Sequence, residues 1–97
     1  RLLVWPLGPG LPAAPAHELA LSAGSGPRHF VCHPAQPRWV YVLQEESSTL
    51  STIELAAGGP RLRDEISVLP DGFAGTSYAS DLILAPGGRH LYALNRL

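Results

Sequence analysis

Cysteine is nearly absent from this sequence: Cys32 is the single one among 97 residues, so no internal disulfide can form. Its place in an apolar run predicts a buried, inert thiol and leaves the redox compartment open. Lysine and methionine are missing altogether, and all seven basic residues are arginine. A glycine-rich phosphate loop closing on lysine is therefore excluded. With no methionine, and with Leu2-Leu3-Val4-Trp5 near the start, the chain shows neither an initiator nor a signal peptide with a charged head, which predicts an internal fragment. Charge is sparse, 15% of residues with a net of −1 at pH 7, so neither nucleic acid nor an anionic membrane is an expected partner. No apolar run approaches the ~20 residues that a membrane-spanning helix requires. Two further absences narrow the chemistry. No G-x-S-x-G elbow presents a serine nucleophile, which leaves water as the nucleophile in a hydrolytic reading. The C-x-x-C pairing of metal sites is missing as well, and no zinc or other cofactor is expected.

What the chain has in plenty is hydrophobic character, 45% of residues, interrupted by ten glycines and ten prolines; this is the composition of one small globular domain. The interruptions cut it into short strands. Leu2–Leu7 is an apolar run ended by Pro6-Leu7-Gly8-Pro9-Gly10, and the loop after it runs to about Ala16. His17–Ser22 alternates as a half-buried strand and closes at Gly24-Ser25-Gly26-Pro27. Phe30–His33, the turn Pro34–Arg38 and Trp39–Leu43, rich in aromatic and β-branched residues, predict a hairpin. Leu50–Leu55, a turn over Ala56–Pro60 and Arg63–Leu69 predict two more strands, stopped at Pro70-Asp71-Gly72. After a Gly- and Ser-rich connection over Phe73–Ser80, the segments Leu82–Ala85, Pro86–Arg89 and Leu91–Leu94 repeat the hairpin. The expectation is an all-β chain with no helix longer than one turn.

The repeat carries the organisation. His29-Phe30-Val31-Cys32-His33-Pro34 aligns with Asp81-Leu82-Ile83-Leu84-Ala85-Pro86, and Tyr41-Val42-Leu43-Gln44-Glu45 with Tyr92-Ala93-Leu94-Asn95-Arg96. A period of roughly 50 residues suits four-stranded propeller blades better than a small sandwich. On that reading residues 1–23 end one blade, 24–72 form a near-complete blade and 73–97 begin the next. Such a piece alone would leave Val31, Val42, Ile83 and Leu94 partly in water, and it is expected to be neither active nor stably folded.

Hairpin geometry then places the chemistry. Antiparallel strands bring the residue entering the first beside the residue leaving the second. Arg28 and His29 should meet Gln44 and Glu45, and Asp81 should lie near Asn95 and Arg96, all on one rim of a central channel. His29, Glu45, Arg28, Asp81 and Arg96 are thus the candidate catalytic residues, a cluster of acid, base and cation. Around them, Glu46 reads as a solvated carboxylate, His33 before Pro34 as structural, and His17 and His90 as exposed strand or turn residues.

Gly26-Pro27-Arg28-His29, followed by His33-Pro34, Tyr41-Val42, Glu45, Ser48-Thr49, Phe73 with Gly75, Asp81, Pro86-Gly87-Gly88-Arg89, Leu91-Tyr92 and Asn95-Arg96, resembles the bacterial β-propeller 6-phosphogluconolactonases. The likeness covers nearly the whole chain and is most specific from Gly26 to Arg96. It implies a seven-bladed β-propeller of which this chain is about two blades, acting without a metal, with a fungal relative that lactonises carboxymuconate. The implied reaction is hydrolysis of 6-phospho-D-glucono-1,5-lactone to 6-phosphogluconate, in the pentose phosphate pathway and the cytoplasm, with a small sugar lactone as the partner. Two departures from the family pattern stand out: the turn Ala35-Gln36-Pro37-Arg38 is one residue longer, and Gln44 replaces a common Asn. In this reading Glu45 or His29 takes the proton from water, Arg28 and Arg96 hold the developing oxyanion or the substrate phosphate, and Asp81 orients His29 or Arg96. The alternatives are a muconate-type lactonising enzyme and a propeller that only binds a ligand or protein.

Overall fold

The computed structural model describes residues 1–10 and 14–96. The loop expected up to about Ala16 therefore falls partly, at 11–13, outside the described residues, as does residue 97 at the end of the chain. Eight strands form among the described residues: β1 (Leu2–Val4), β2 (His17–Leu19), β3 (Pro27–Cys32), β4 (Trp39–Gln44), β5 (Thr49–Ala56), β6 (Gly59–Ser67), β7 (Tyr78–Leu84) and β8 (Leu91–Arg96). No helix occurs among the described residues, so the fold is all-β, with both expected hairpins in β3-β4 and β7-β8. Pairing is antiparallel throughout, in three sheets: β1-β2, β3-β4-β5-β6 and β7-β8. A four-stranded meander in sequence order has the form of a propeller blade.

Strand β4 shows why the sheets stack. Its sequence, Trp39-Val40-Tyr41-Val42-Leu43-Gln44, is apolar on both alternating faces, so both faces need cover. Val40 and Val42 join Ile53, and Leu2, Leu19 and Leu21 pack on that side. Leu43 joins Ala79 and Leu82 on the other, with Val31, Tyr41 and Leu50 around them. The two-stranded sheets thus lie against opposite faces of the four-stranded one. Val42, Leu43 and Ile53 are at most 2% exposed, and each such burial contributes about 1.5–3 kcal/mol.

Several sequence expectations shift. Val42 belongs to this core instead of standing partly in water. Cys32 is exposed, because β3 is an edge strand and no other strand among the described residues pairs with its outer side. Strand β2 ends at Leu19 and not at Ser22. Strand β6 begins at Gly59, opposite Ala56, so Ala57-Gly58 alone make the turn. Pro60 does not break it because β6 is also an edge, where a missing N–H is tolerated. Strand β7 starts at Tyr78, ahead of Leu82, since Tyr78 and Ala79 pair with Arg96 and Asn95.

His33 has the structural role expected of it. Its Nδ1 accepts from the Ala35 and Gln36 amides, both at 3.1 Å, which leaves the ring proton on Nε2 to be donated to the Gly88 carbonyl at 3.2 Å. The long turn after β3 is thereby tied to the turn of the next hairpin. Gly88 has φ +71°, and a Cβ there would stand 2.6 Å from His33 Nε2. Gly88→Ala is expected to destabilise the full-length protein by about 1–3 kcal/mol through strain and loss of this link. Thermal unfolding of the variant checks it, and an unchanged midpoint would contradict the role given to His33.

Candidate active site

Two bulges decide where the candidate side chains stand. In β3, Pro27 pairs with Gln44 and His29 with Leu43, so Arg28 is an extra residue that the ladder leaves unpaired. In β7, Ala79 pairs with Asn95 and Asp81 with Leu94, which makes Ser80 the equivalent extra residue. The two irregularities occur at matching places in the two repeats. They also touch: Arg28 Nε donates to the Ser80 carbonyl at 3.2 Å.

The same guanidinium reaches Glu45, with Arg28 Nη1 donating to Oε2 at 2.6 Å. Arg96, the last residue of β8, donates from Nη2 to that same oxygen at 2.9 Å. One carboxylate oxygen, from the four-stranded sheet, therefore binds two arginines from two different hairpins. Charge-assisted bonds of this length fix both guanidinium groups relative to each other. The triad carries a net charge of +1, and among the described hydrogen bonds none engages Glu45 Oε1. The arrangement can hold an anion and keeps one carboxylate oxygen open to water.

The backbone beneath Glu45 is pinned. Its amide donates to the Gly26 carbonyl at 2.7 Å, and the Glu46 and Ser47 amides donate to Ser25 at 3.0 and 3.2 Å. Gly26 has φ +69°, and a Cβ there would stand 2.9 Å from Glu46 Cγ, so the approach of these two loops requires glycine. Gln44, fully buried, donates from Nε2 to Ser51 Oγ at 2.6 Å and Thr49 Oγ1 at 3.1 Å. The sequence placed Gln44 near Arg28 and His29 and marked it as a departure from a pattern; its bonds to Thr49 and Ser51 across the turn that carries Glu45 were missed. The signal available was its place directly before Glu45 in an otherwise apolar strand.

Arg28, Glu45 and Arg96 are thus brought together, and the other two candidates are not bonded to them. His29 lies at the same end of its hairpin, exposed, opposite Leu43, and no described hydrogen bond or ion pair engages its ring. Arg96 lies beyond the Ser80 bulge, opposite Tyr78, while Asp81 stands opposite Leu94 in the register set from the hairpin turn. Its Oδ1 accepts from the Leu82 amide at 2.8 Å, while Arg96 pairs with Glu45, so the expected Asp81–Arg96 pair does not form. His29 and His33 are four residues apart along an extended strand and its end, a span of roughly 13 Å, too far to share a metal. Among the described residues no group of three His, Cys, Asp or Glu side chains gathers.

The ion pairs are partly open to water: the side chains of Arg28, Arg96 and Glu45 are 42%, 55% and 23% exposed. Pairs in such surroundings contribute at most ~1 kcal/mol each to stability. Arg28→Ala and Arg96→Ala are accordingly expected to change the stability of the full-length protein by about 1 kcal/mol or less. Denaturant unfolding of the variants measures this, and a much larger loss would make the cluster a structural clamp.

The family model described as a lactonase with a 7-bladed β-propeller matches residues 2–97. A 6-phosphogluconolactonase of Erwinia tasmaniensis is 35% identical over 79 residues, covering 81% of this chain and 24% of its own length. A probable 6-phosphogluconolactonase of Arthroderma benhamiae is 40% identical over 103 residues, covering 100% of this chain and 25% of its own. Among solved structures, the periplasmic gluconolactonase of Pseudomonas aeruginosa is similar with a TM-score of 0.73 at 32% identity, over 80% of this chain and 22% of that one. The chain spans about a quarter of the length of the curated relatives it matches.

Proposed function

Because the chain belongs to the lactonases with a seven-bladed β-propeller, we propose that the full-length protein hydrolyses 6-phospho-D-glucono-1,5-lactone to 6-phosphogluconate, with water as the nucleophile. Residues 1–23 then end one blade, residues 24–72 make the next and residues 73–97 open a third. The observation that carries the reading is the shared Glu45 Oε2, which holds two guanidinium groups at one end of adjacent hairpins.

The chemistry follows from that geometry. Water oxygen forms a bond to the lactone carbonyl carbon and gives up a proton, and the carbonyl becomes an oxyanion. Arg28 and Arg96, already fixed, stabilise either this developing charge or the substrate phosphate without reorganising. Collapse breaks the ring C–O bond, and the released ring oxygen takes a proton to become the hydroxyl. The acceptors for the water proton are Glu45 Oε1 and the His29 ring, both at this end of the hairpin and engaged by no described hydrogen bond. A phosphorylated lactone goes with the cytoplasm.

A second reading, the unphosphorylated gluconolactone, is favoured by the likeness to the Pseudomonas gluconolactonase. Mixing the full-length protein with each lactone and following its loss tests both. Acceleration over spontaneous hydrolysis, greater for the phosphorylated lactone, is expected; acceleration of gluconolactone alone would select the second reading. Binding of either lactone without turnover would leave a recognition propeller instead of an enzyme.

A further inference from the structure

Ser77 is buried, 7% exposed, in the connection that leads into β7, and it bonds in two directions. Its hydroxyl donates to the backbone carbonyl of Arg96 at 3.1 Å, across its own hairpin. Its carbonyl accepts from the Ser48 hydroxyl at 3.1 Å, in the turn that carries Glu45. Ser48 is 2% exposed and holds φ +51°, a left-handed conformation that a non-glycine residue keeps only where its surroundings impose it. The Val68 amide donating to the Ser48 carbonyl at 2.9 Å supplies the rest of that restraint. Beside it, the Ala79 amide donates to the Glu45 carbonyl at 3.3 Å. A continuous path of short bonds thus runs from the Glu45 turn through Ser48 and Ser77 to the main chain of Arg96.

The repeat makes this position distinct. Ser77 lies four residues before Asp81, as Ser25 lies four before His29, and both serines are buried. At Ser25 the carbonyl serves the turn of its own sheet, accepting from Glu46 and Ser47. At Ser77 the carbonyl serves the turn of the preceding sheet, and the hydroxyl serves Arg96. The second serine therefore bridges the two sheets where the first does not.

We propose that Ser77 is a positioning residue that sets the Arg96 guanidinium against Glu45 across the junction of the two sheets, an inference that rests on the lactonase reading of that cluster for its catalytic consequence. Arg96 pairs with Tyr78 at the end of the hairpin beyond the Ser80 bulge, where its main chain is held beside the Glu45 turn. Ser77 is the tie. A displacement of about 1 Å at a group that stabilises developing charge is enough to cost up to 10²-fold in rate.

The test uses the full-length protein, with Ser77→Ala, Arg96→Ala and the double variant assayed on 6-phosphogluconolactone. Ser77→Ala is expected to lower kcat/KM about tenfold, and to cost less than about twofold when Arg96 is already alanine, because a residue acting through Arg96 has nothing left to position. Equal losses in both backgrounds would mean a general structural role and overturn the proposal, as would an unchanged kcat/KM in the single variant. Ser48→Ala releases the same bridge while leaving Ser77 in place. It is expected to show the same non-additivity with Arg96→Ala, so the proposal stays testable if Ser77→Ala fails to fold. A crystal structure of either serine variant separates this inference from the lactonase reading. Arg96 Nη2 should have left hydrogen-bond distance of Glu45 Oε2 whether or not the protein turns over lactone, and a retained contact would overturn the positioning role.

Discussion

Glu45→Gln in the full-length protein is expected to lower kcat/KM for 6-phosphogluconolactone hydrolysis by roughly 10²–10⁴-fold, the range lost with an acid or base catalyst. The reason lies in what one residue holds. Oε2 binds Arg28 at 2.6 Å and Arg96 at 2.9 Å, while no described hydrogen bond engages Oε1. An amide keeps the shape but removes the charge, so it withdraws the proton acceptor and loosens both guanidinium groups together. His29→Gln separates the two acceptors. If His29 takes the proton, its substitution produces the larger fall in kcat, and the loss at Glu45 shows more in KM through the displaced arginines. An unchanged kcat/KM on replacing Glu45 would remove the cluster from the mechanism.

Residues 1–97 expressed alone are expected not to give a monomer with a cooperative, concentration-independent unfolding transition. The repeat shows what is uncovered. Tyr41 and Leu43 pack against β7-β8, whereas their equivalents Tyr92 and Leu94 are 61% and 62% exposed, with Ile83 at 59% beside them. Phe30, on the edge strand β3, is 66% exposed. Each of these forgoes a good part of the ~1.5–3 kcal/mol that full burial contributes, against a total of ~5–15 kcal/mol for a whole domain. The two flanking sheets have two strands each, a size that is marginal in water, and repeat folds need about three units. Open edges on β3 and β6 then favour self-association. Heating the isolated piece at several concentrations while following a β-sheet signal decides it, and one sharp, concentration-independent transition in a monomer would contradict this estimate.

The hairpins were legible because β4 is apolar on both faces and because Phe30–Pro34 returns as Leu82–Pro86. The meeting of Arg28 with Glu45 was legible for the same reason, since it needs only strand direction and a turn. What escaped depends on features without a local mark. Arg96 reaches to Glu45 of the neighbouring sheet and Asp81 to the Leu82 amide of its own strand, and nothing in Tyr78-Ala79-Ser80-Asp81 signals either contact or the unpaired Ser80. Pro60 was taken for part of a turn because its edge position is a property of the whole sheet. Cys32 sits in an apolar run yet lies exposed on an edge strand, a distinction that the run itself does not carry. The roles of Ser48 and Ser77 arise only where two sheets meet. Their sequence trace is the matched spacing of Ser25 and Ser77 ahead of His29 and Asp81.

The measurement that bears most directly on the central claim is the rate of 6-phosphogluconolactone loss with the full-length protein and with its Arg28→Ala/Arg96→Ala double variant, each checked for its unfolding midpoint. The cluster predicts strong acceleration by the first and near-spontaneous decay with the second, at nearly equal stability. Equal acceleration by both proteins would show that the lactone is handled elsewhere.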